Sequence, residues 1–349
     1  MAIFRNPHRG VGLPDLWDGA PVWPSVDAGA VADLLARCPA AAETPLRAVP
    51  NLAAAAGVAH LHLKDETGRM GLGSFKALGA AYAIARQSGN GDATALKERC
   101  FIAASAGNHG LSVAVGARMF GARAVIVLAE TVPEDFANRL RGKGAEVVRA
   151  GAIYEDSMAE AMRLAEENGW TLLSDSSWPG YTDLPYRVME GYLQLAAEAA
   201  RQMPAPPSHI MLQAGVGGLA AAVAAYARKV WGPAPEIVVV EPEAAPALIE
   251  SARAGQVVVT DGPVSTMGRL DCKEPSLIAL AGLARDADLF MTISEADAAT
   301  AVERLAAEGI STTPSGAAGV AGALTGAADL GLGPEARVLA IISETGQAA

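Results

Sequence analysis

Residues 100–128 read CFIAASAGNHGLSVAVGARMFGARAVIVL. The stretch opens on a short apolar run, Cys100–Ala104, passes through a loop of small residues, and enters a helical pattern over Gly110–Met119. It then returns to a second apolar run at Ala124–Leu128. Short apolar runs without polar alternation are what strands need when both faces of a sheet are covered. The unit therefore reads as strand–helix–strand in a parallel sheet. The same order continues in both directions. Strands are expected at Val58–Leu63, Glu146–Arg149, Thr171–Leu173, His209–Gln213, Ile237–Val240 and Val338–Ile342. Helices are expected at Ala28–Arg37, Phe75–Arg86, Pro133–Lys143, Ile153–Asn168, Tyr186–Gln202 and Leu219–Trp231, and further ones at Ala244–Ala254, Glu274–Arg285, Glu295–Glu308 and Gly316–Ala328. Strands alternating with helices define the α/β class. No fixed-period repeat or low-complexity tract interrupts the pattern.

The 349 residues suit about two domains. Hydrophobic residues make up 51% and charged residues 19%, enough apolar matter for a sizeable core. Lys and Arg number 27 against 38 Asp and Glu, a formal charge of −11. Such a surface repels nucleic-acid backbones and anionic lipid, so an anionic ligand needs a local device to hold it. Cys38, Cys100 and Cys272 are widely spaced, which gives no disulfide framework and no zinc pattern. The N-terminus MAIFRNPHRG lacks an apolar signal core, and no run of about 20 apolar residues is present. A soluble cytoplasmic protein with reduced thiols is expected.

The chemistry sits in the loops after the strands. Gly73-Ser74-Phe75-Lys76 opens a helix, whose positive end is expected to lower the lysine pKa and help it act as a nucleophile toward an aldehyde. Taken alone, an ordinary exposed helix lysine reads the same way. Ser105-Ala106-Gly107-Asn108-His109-Gly110 lets the backbone approach a carboxylate, and Asn108 can donate to a phenolate-like oxygen. Gln213-Ala214-Gly215-Val216-Gly217-Gly218-Leu219 offers several N–H groups to one phosphate. Asp175-Ser176-Ser177-Trp178-Pro179-Gly180-Tyr181 places a carboxylate beside aromatic rings, where desolvation is expected to raise its pKa for proton transfer. Ser343-Glu344-Thr345-Gly346 follows the last strand and brings a hydroxyl suited to a neutral heteroaromatic nitrogen. His60 and His62 share a strand face without a third ligand, so no metal site is expected.

In order, these motifs resemble the fold type II pyridoxal-phosphate (PLP) enzymes, which include the serine/threonine dehydratases, threonine synthase and the β-subunit of tryptophan synthase. The likeness runs from Thr44-Pro45-Leu46 to Gly346. Within the group it is greatest to the diaminopropionate ammonia-lyases. Leu63-Lys64-Asp65-Glu66 with Phe75-Lys76 resembles their KDE…FK segment. Asp175 to Tyr181, with Thr182-Asp183-Leu184-Pro185 and Met189-Glu190-Gly191-Tyr192, resembles their D-x-x-W-x-G-Y…GY stretch.

The resemblance implies two α/β domains with PLP between them, a large one from residues 1–79 and 186–349 and a smaller inserted one from 80–185. It implies that Lys76 bonds to PLP and then takes the substrate α-proton, that Phe75 packs beside the ring, and that Asn108 donates to the ring oxygen. Gly215, Val216, Gly217, Gly218 and Leu219 would hold the phosphate, and Ser343, or Thr345 nearby, would face the ring nitrogen. Ser105, Ala106, Gly107 and His109 would frame the substrate carboxylate. Asp175 would deliver a proton to the leaving group or assist a second proton transfer. The implied reaction is α,β-elimination on a small amino acid such as 2,3-diaminopropionate, giving a 2-oxo acid and ammonia, with dehydration of a β-hydroxy amino acid as the alternative. A homodimer is expected by the same likeness.

The chain also departs from the family. Ala106 stands where the ammonia-lyases have Asp in DGNHG, which puts the second enantiomer in doubt. Met267-Gly268-Arg269-Leu270-Asp271-Cys272-Lys273-Glu274-Pro275 resembles MAGLACGEP, but Arg269, Asp271 and Lys273 replace small residues. Thr313 replaces the Glu of the dehydratase EPSG turn. Two other readings compete: a nicotinamide-dependent oxidoreductase using the Gly215 loop and Glu241, and a PLP-binding protein without activity.

Overall fold

The computed structural model describes residues 1–89, 92 and 94–346. Its strands are β1 (Ile3–Arg5), β2 (Leu46–Ala48), β3 (His60–Asp65), β4 (Cys100–Ala104), β5 (Arg123–Leu128), β6 (Glu146–Arg149), β7 (Thr171–Leu172), β8 (His209–Gln213), β9 (Glu236–Pro242), β10 (Leu289–Ile293) and β11 (Arg337–Ile342). They form a seven-stranded sheet in the order β1-β10-β9-β8-β11-β3-β2 and a four-stranded sheet in the order β6-β5-β4-β7. The smaller sheet is parallel throughout. The larger is parallel except at its edges, where β1 and β2 pair antiparallel.

The strands form here because helices cover their apolar faces. All five residues of β4 are buried, and Ile210, Met211 and Leu212 of β8 are fully shielded. Burying a side chain of this size stabilises the fold by about 1.5–3 kcal/mol. The helix Gly218–Trp231 is alanine-rich and buried over most of its circumference, which lets neighbours approach closely. The helix Lys76–Gln87 packs against both Asn108–Met119 and Asp183–Gly191, and so links the layers that carry the two sheets.

Several expectations change. The helix expected over Tyr186–Gln202 is two helices, Asp183–Gly191 and Leu193–Gln202. Near the break, a Cβ on Gly191 would lie 2.6 Å from the Leu78 carbonyl oxygen, so the backbones touch there. β1, β2, β10 and the helix Pro50–Ala56 were not expected. The order β8-β11-β3 sets the last strand between two earlier ones, so the loops after all three emerge at one end of the sheet.

Candidate active site

Lys76 is the first residue of its helix, and its Nζ donates to Asp175 Oδ2 across 99 residues of sequence. The two side chains are 21% and 20% exposed, open enough to meet a ligand. Nζ also lies 5.3 Å from the Phe75 ring centre and 5.9 Å from that of Tyr192. The two rings meet edge-on at 4.8 Å. Burial works against the Lys76 ammonium, yet Asp175 and then Tyr192 outweigh it and hold the group above the ordinary lysine range. Burial alone would raise the Asp175 carboxyl, but Lys76 and then His109 hold it well below the usual carboxylate range. Both shifts run opposite to the sequence expectation. A helix terminus and an apolar pocket perturb each group less than a direct opposite charge does.

The fold fixes this pair from both sides. The Ser343 carbonyl accepts from Phe75 N at 3.1 Å, Gly73 O accepts from Thr345 N at 2.9 Å, and Ser74 bridges Glu344. The Lys76 segment is thereby stitched to the exit of β11, and Ser343 is 4% exposed beside it. The Asp175 loop is latched by Tyr181, whose hydroxyl donates to Leu172 O at 2.8 Å and accepts from Ser174 N at 3.1 Å. Trp178 stacks on Tyr181 at 4.4 Å. Ser177 N donates to Ser276 Oγ at 3.0 Å, and Ser276 N donates to Val216 O at 2.9 Å. The Asp175 loop and the Gly215–Leu219 loop thus share one support.

Gly217 precedes the helix Gly218–Trp231 with φ +97°, a left-handed conformation that favours glycine, and no side chain caps that helix. A Cβ on Gly215 would sit 2.9 Å from Cys272 Sγ and 3.1 Å from Leu270 Cα. Burial, with Asp175 near, pushes the Cys272 thiol up to about 12. In the loop at residues 105–109, Ser105 Oγ accepts from Gly107 N at 3.3 Å and Gly110 N at 3.1 Å. Asn108 Nδ2 donates to Glu344 Oε2 at 2.5 Å, and Thr313 Oγ1 donates to Glu344 Oε1 at 2.5 Å. The His109 ring is turned inward, where Nε2–H donates to Leu173 O at 2.8 Å and burial lowers the imidazole pKa. Its side chain therefore anchors the chain just before Asp175, leaving its backbone to the loop.

Residues 38–344 match the family described as pyridoxal-phosphate dependent enzyme. Over 268 residues the chain is 35% identical to the diaminopropionate ammonia-lyase of Salmonella typhimurium, a stretch spanning 70% of this chain and 66% of that protein. It is 29% identical over 277 residues to the serine dehydratase-like protein of Mus musculus, with 79% of each chain covered. The crystal structure of Escherichia coli diaminopropionate ammonia lyase with an aminoacrylate-PLP azomethine intermediate superposes with a TM-score of 0.88. The identity there is 30%, and the match covers 99% of this chain and 93% of that one. The chain belongs to the pyridoxal-phosphate dependent enzyme family. Its architecture is that of fold type II.

The residues fit PLP. The uncapped helix at Gly218 presents unpaired N–H groups for a phosphate, and glycines line its approach where a Cβ would collide. Among the described residues Tyr192 Oη is buried beside Lys76 without a well-formed hydrogen bond, so it can turn to a bound ligand.

Sequence reasoning assigns no role to two participants, Glu344, which clamps Asn108, and Tyr192, which meets Phe75 edge-on near Lys76. Glu241 settles the nicotinamide reading. It is fully buried, and its two oxygens accept from Leu248 N at 2.7 Å and Ile249 N at 2.8 Å. A carboxylate committed to a helix start cannot reach a ribose.

Proposed function

We propose that the chain catalyses PLP-dependent α,β-elimination on a small amino acid such as 2,3-diaminopropionate, releasing a 2-oxo acid and ammonia. The contact between Lys76 and Asp175 carries the reading, because it sets a base against an acid beside the glycine-rich loop that would hold a phosphate. Bound PLP supplies an electron sink conjugated to the substrate Cα. Lys76, acting as a neutral amine, would take the α-proton, and the Lys76–Asp175 pair would hand that proton on. Asp175 then protonates the departing β-substituent, so that the Cα–H and Cβ–X bonds break and X leaves as HX. The hydroxyl of Ser343 would face the pyridine nitrogen without holding a proton on it. Gly215 to Leu219 would hold the phosphate, and the N–H groups at 105–109 the substrate carboxylate.

Dehydration of a β-hydroxy amino acid is the second reading, favoured by Ala106, which leaves the carboxylate loop without an acidic side chain. A PLP-binding protein without turnover is the remaining one. Ammonia and 2-oxo-acid release across diaminopropionate, serine and threonine in both enantiomers separates the three. Bound PLP with no ammonia from any amino acid would overturn elimination.

Among the described residues no helix is long and apolar enough to cross a membrane. We infer a cytoplasmic homodimer of two-domain subunits, the smaller domain inserted at 80–185. Light scattering of the purified protein tests the dimer.

A further inference from the structure

Of the charged residues between Met267 and Pro275, two are consumed locally. Lys273 Nζ donates to Asp271 Oδ1 at 2.6 Å, Ala244 O at 2.7 Å and Pro263 O at 3.1 Å. Asp271 Oδ2 accepts from Ser265 N at 3.1 Å. Arg269 is placed differently. Its backbone N–H is pinned to Ser315 Oγ at 3.0 Å, and its side chain crosses the carboxylate loop. A Cβ on Gly107 would lie 3.2 Å from Arg269 Nη1 and 3.3 Å from Cζ, so the guanidinium rests directly on that glycine. Nη1 donates to Ala106 O at 3.1 Å.

The charge on Arg269 is poorly answered. Its nearest carboxylate oxygen, Glu344 Oε2, is 4.0 Å from Nε and already accepts from Asn108, while the other oxygen accepts from Thr313. Lys76, the site's other cation, is in direct contact with Asp175. Arg269 remains 47% exposed, and a guanidinium has five N–H donors in a planar fork that matches a carboxylate. No acidic side chain lies in residues 105–109 to receive a substrate ammonium. A β-ammonium entering here would meet a cation, whereas a second carboxylate would meet an open fork.

We propose that Arg269 is a specificity-determining residue that receives the side-chain carboxylate of an amino dicarboxylate substrate carrying a β-hydroxyl or β-amino group. The inference rests on the elimination chemistry proposed above and puts an amino dicarboxylate in place of diaminopropionate as its preferred substrate. For 3-hydroxyaspartate, the Cα–H and Cβ–O bonds break, a Cα=Cβ bond forms and water leaves. Water then displaces the nitrogen, so the net products are oxaloacetate and ammonia, without oxidant or reductant.

The test measures kcat/KM of the PLP-loaded enzyme for the 3-hydroxyaspartate isomers, 2,3-diaminopropionate and serine, in wild type, Arg269→Leu and Arg269→Lys. The wild type is expected to favour a hydroxyaspartate isomer over serine. That preference should fall about 100-fold in Arg269→Leu, chiefly through KM, and return in part in Arg269→Lys. Diaminopropionate should gain on serine in the leucine variant. Preference for diaminopropionate in the wild type, or an equal loss for all substrates on substitution, overturns the assignment. A parallel titration uses aspartate and alanine as unreactive ligands, followed by cofactor absorbance. Aspartate binding should weaken about 100-fold relative to alanine in Arg269→Leu. This second readout stands even if no substrate is turned over, a result that would sink the elimination reading alone. An unchanged aspartate-to-alanine ratio would sink the role of Arg269 alone.

Discussion

Two lysine–carboxylate pairs flank one short segment of this chain, and they are built to opposite ends. Lys64 is sealed. Its Nζ donates to Thr44 O at 2.6 Å, Glu198 Oε2 at 2.6 Å and Gln202 Oε1 at 3.0 Å, which uses all three of its donors. Arg69 and Glu66 complete the cluster, with Arg69 bonded to both Glu66 and Glu198. Lys64, Arg69, Glu66 and Glu198 sum to zero charge, and their side chains are at most 2% exposed. Lys76, by contrast, contacts the Asp175 carboxylate and turns toward aromatic rings and the cleft. The sealed pair has nowhere to send a proton. The open pair does, and that difference in surroundings separates a structural lysine from a reactive one.

The largest expected effect tests the open pair. Lys76→Ala should lower ammonia release by about 10⁴-fold while the protein remains folded by circular dichroism. Turnover at about one-hundredth of wild type or more would move the chemistry elsewhere. The sealed pair should fail through stability instead. Glu198→Ala strands Lys64 and Arg69 in the interior and should cost about 3–5 kcal/mol in urea unfolding, with turnover per folded molecule retained. Its acid dependence has a definite sign. Burial would raise the Glu198 carboxyl, but Arg69 and Lys64 pull it down to about 2. Its contribution is therefore full above an unfolded value of about 4.5 and is lost as pH falls toward about 2. Glu198→Gln should flatten that part of the stability profile; an unflattened profile would place the acid sensitivity in another group.

Asp175→Asn tests whether the open pair works as a pair. Turnover should fall by about 10²- to 10³-fold, with little change in melting temperature because the site is partly open to solvent. Lys76 would lose the charge that holds its proton, so the acid limb of the pH–rate profile, which reports the base, should move to lower pH. A wild-type profile in the Asp175→Asn enzyme would remove Asp175 from proton transfer.

The difference between the regions also explains what could be read from sequence. Cys100–Ala104 and His209–Gln213 have the ends expected for them, because a strand buried on both faces carries its own apolar signal. The edge strand Glu146–Arg149 also has its expected ends, although it is only partly buried. β1 and β2 are three residues each and gain their identity only by pairing with β10 and β3. β10 reads LFMTI, a short apolar run that periodicity does not separate from a piece of helix. The glycine-rich loops were legible because their chemistry is local. The protonation of Lys76 and Asp175 was not, since it depends on a contact across 99 residues. Glu344 joins Asn108 across 236 residues, and no pattern near either residue announces the other.

A third carboxylate is buried with no cation bonded to it. Glu241 is fully shielded and accepts two backbone N–H groups, from Leu248 and Ile249. Burial pushes its carboxyl up to about 8, against the pull of those two bonds. The sign is therefore opposite to that of Glu198. In the unfolded chain the group ionises near about 4.5, while the folded protein keeps the proton to higher pH. Its contribution is full below about 4.5 and is lost as pH rises through about 8, with a slope of at most about 1.4 kcal/mol per pH unit. Glu241→Gln should lose one helix-start bond, about 1 kcal/mol at about pH 5, yet lose less than wild type between about pH 5 and pH 8. Urea unfolding of both proteins at the two pH values reads the difference directly. Equal losses would mean that the two backbone donors suffice to hold this carboxylate ionised, so that N–H groups alone do here what Arg69 and Lys64 do for Glu198.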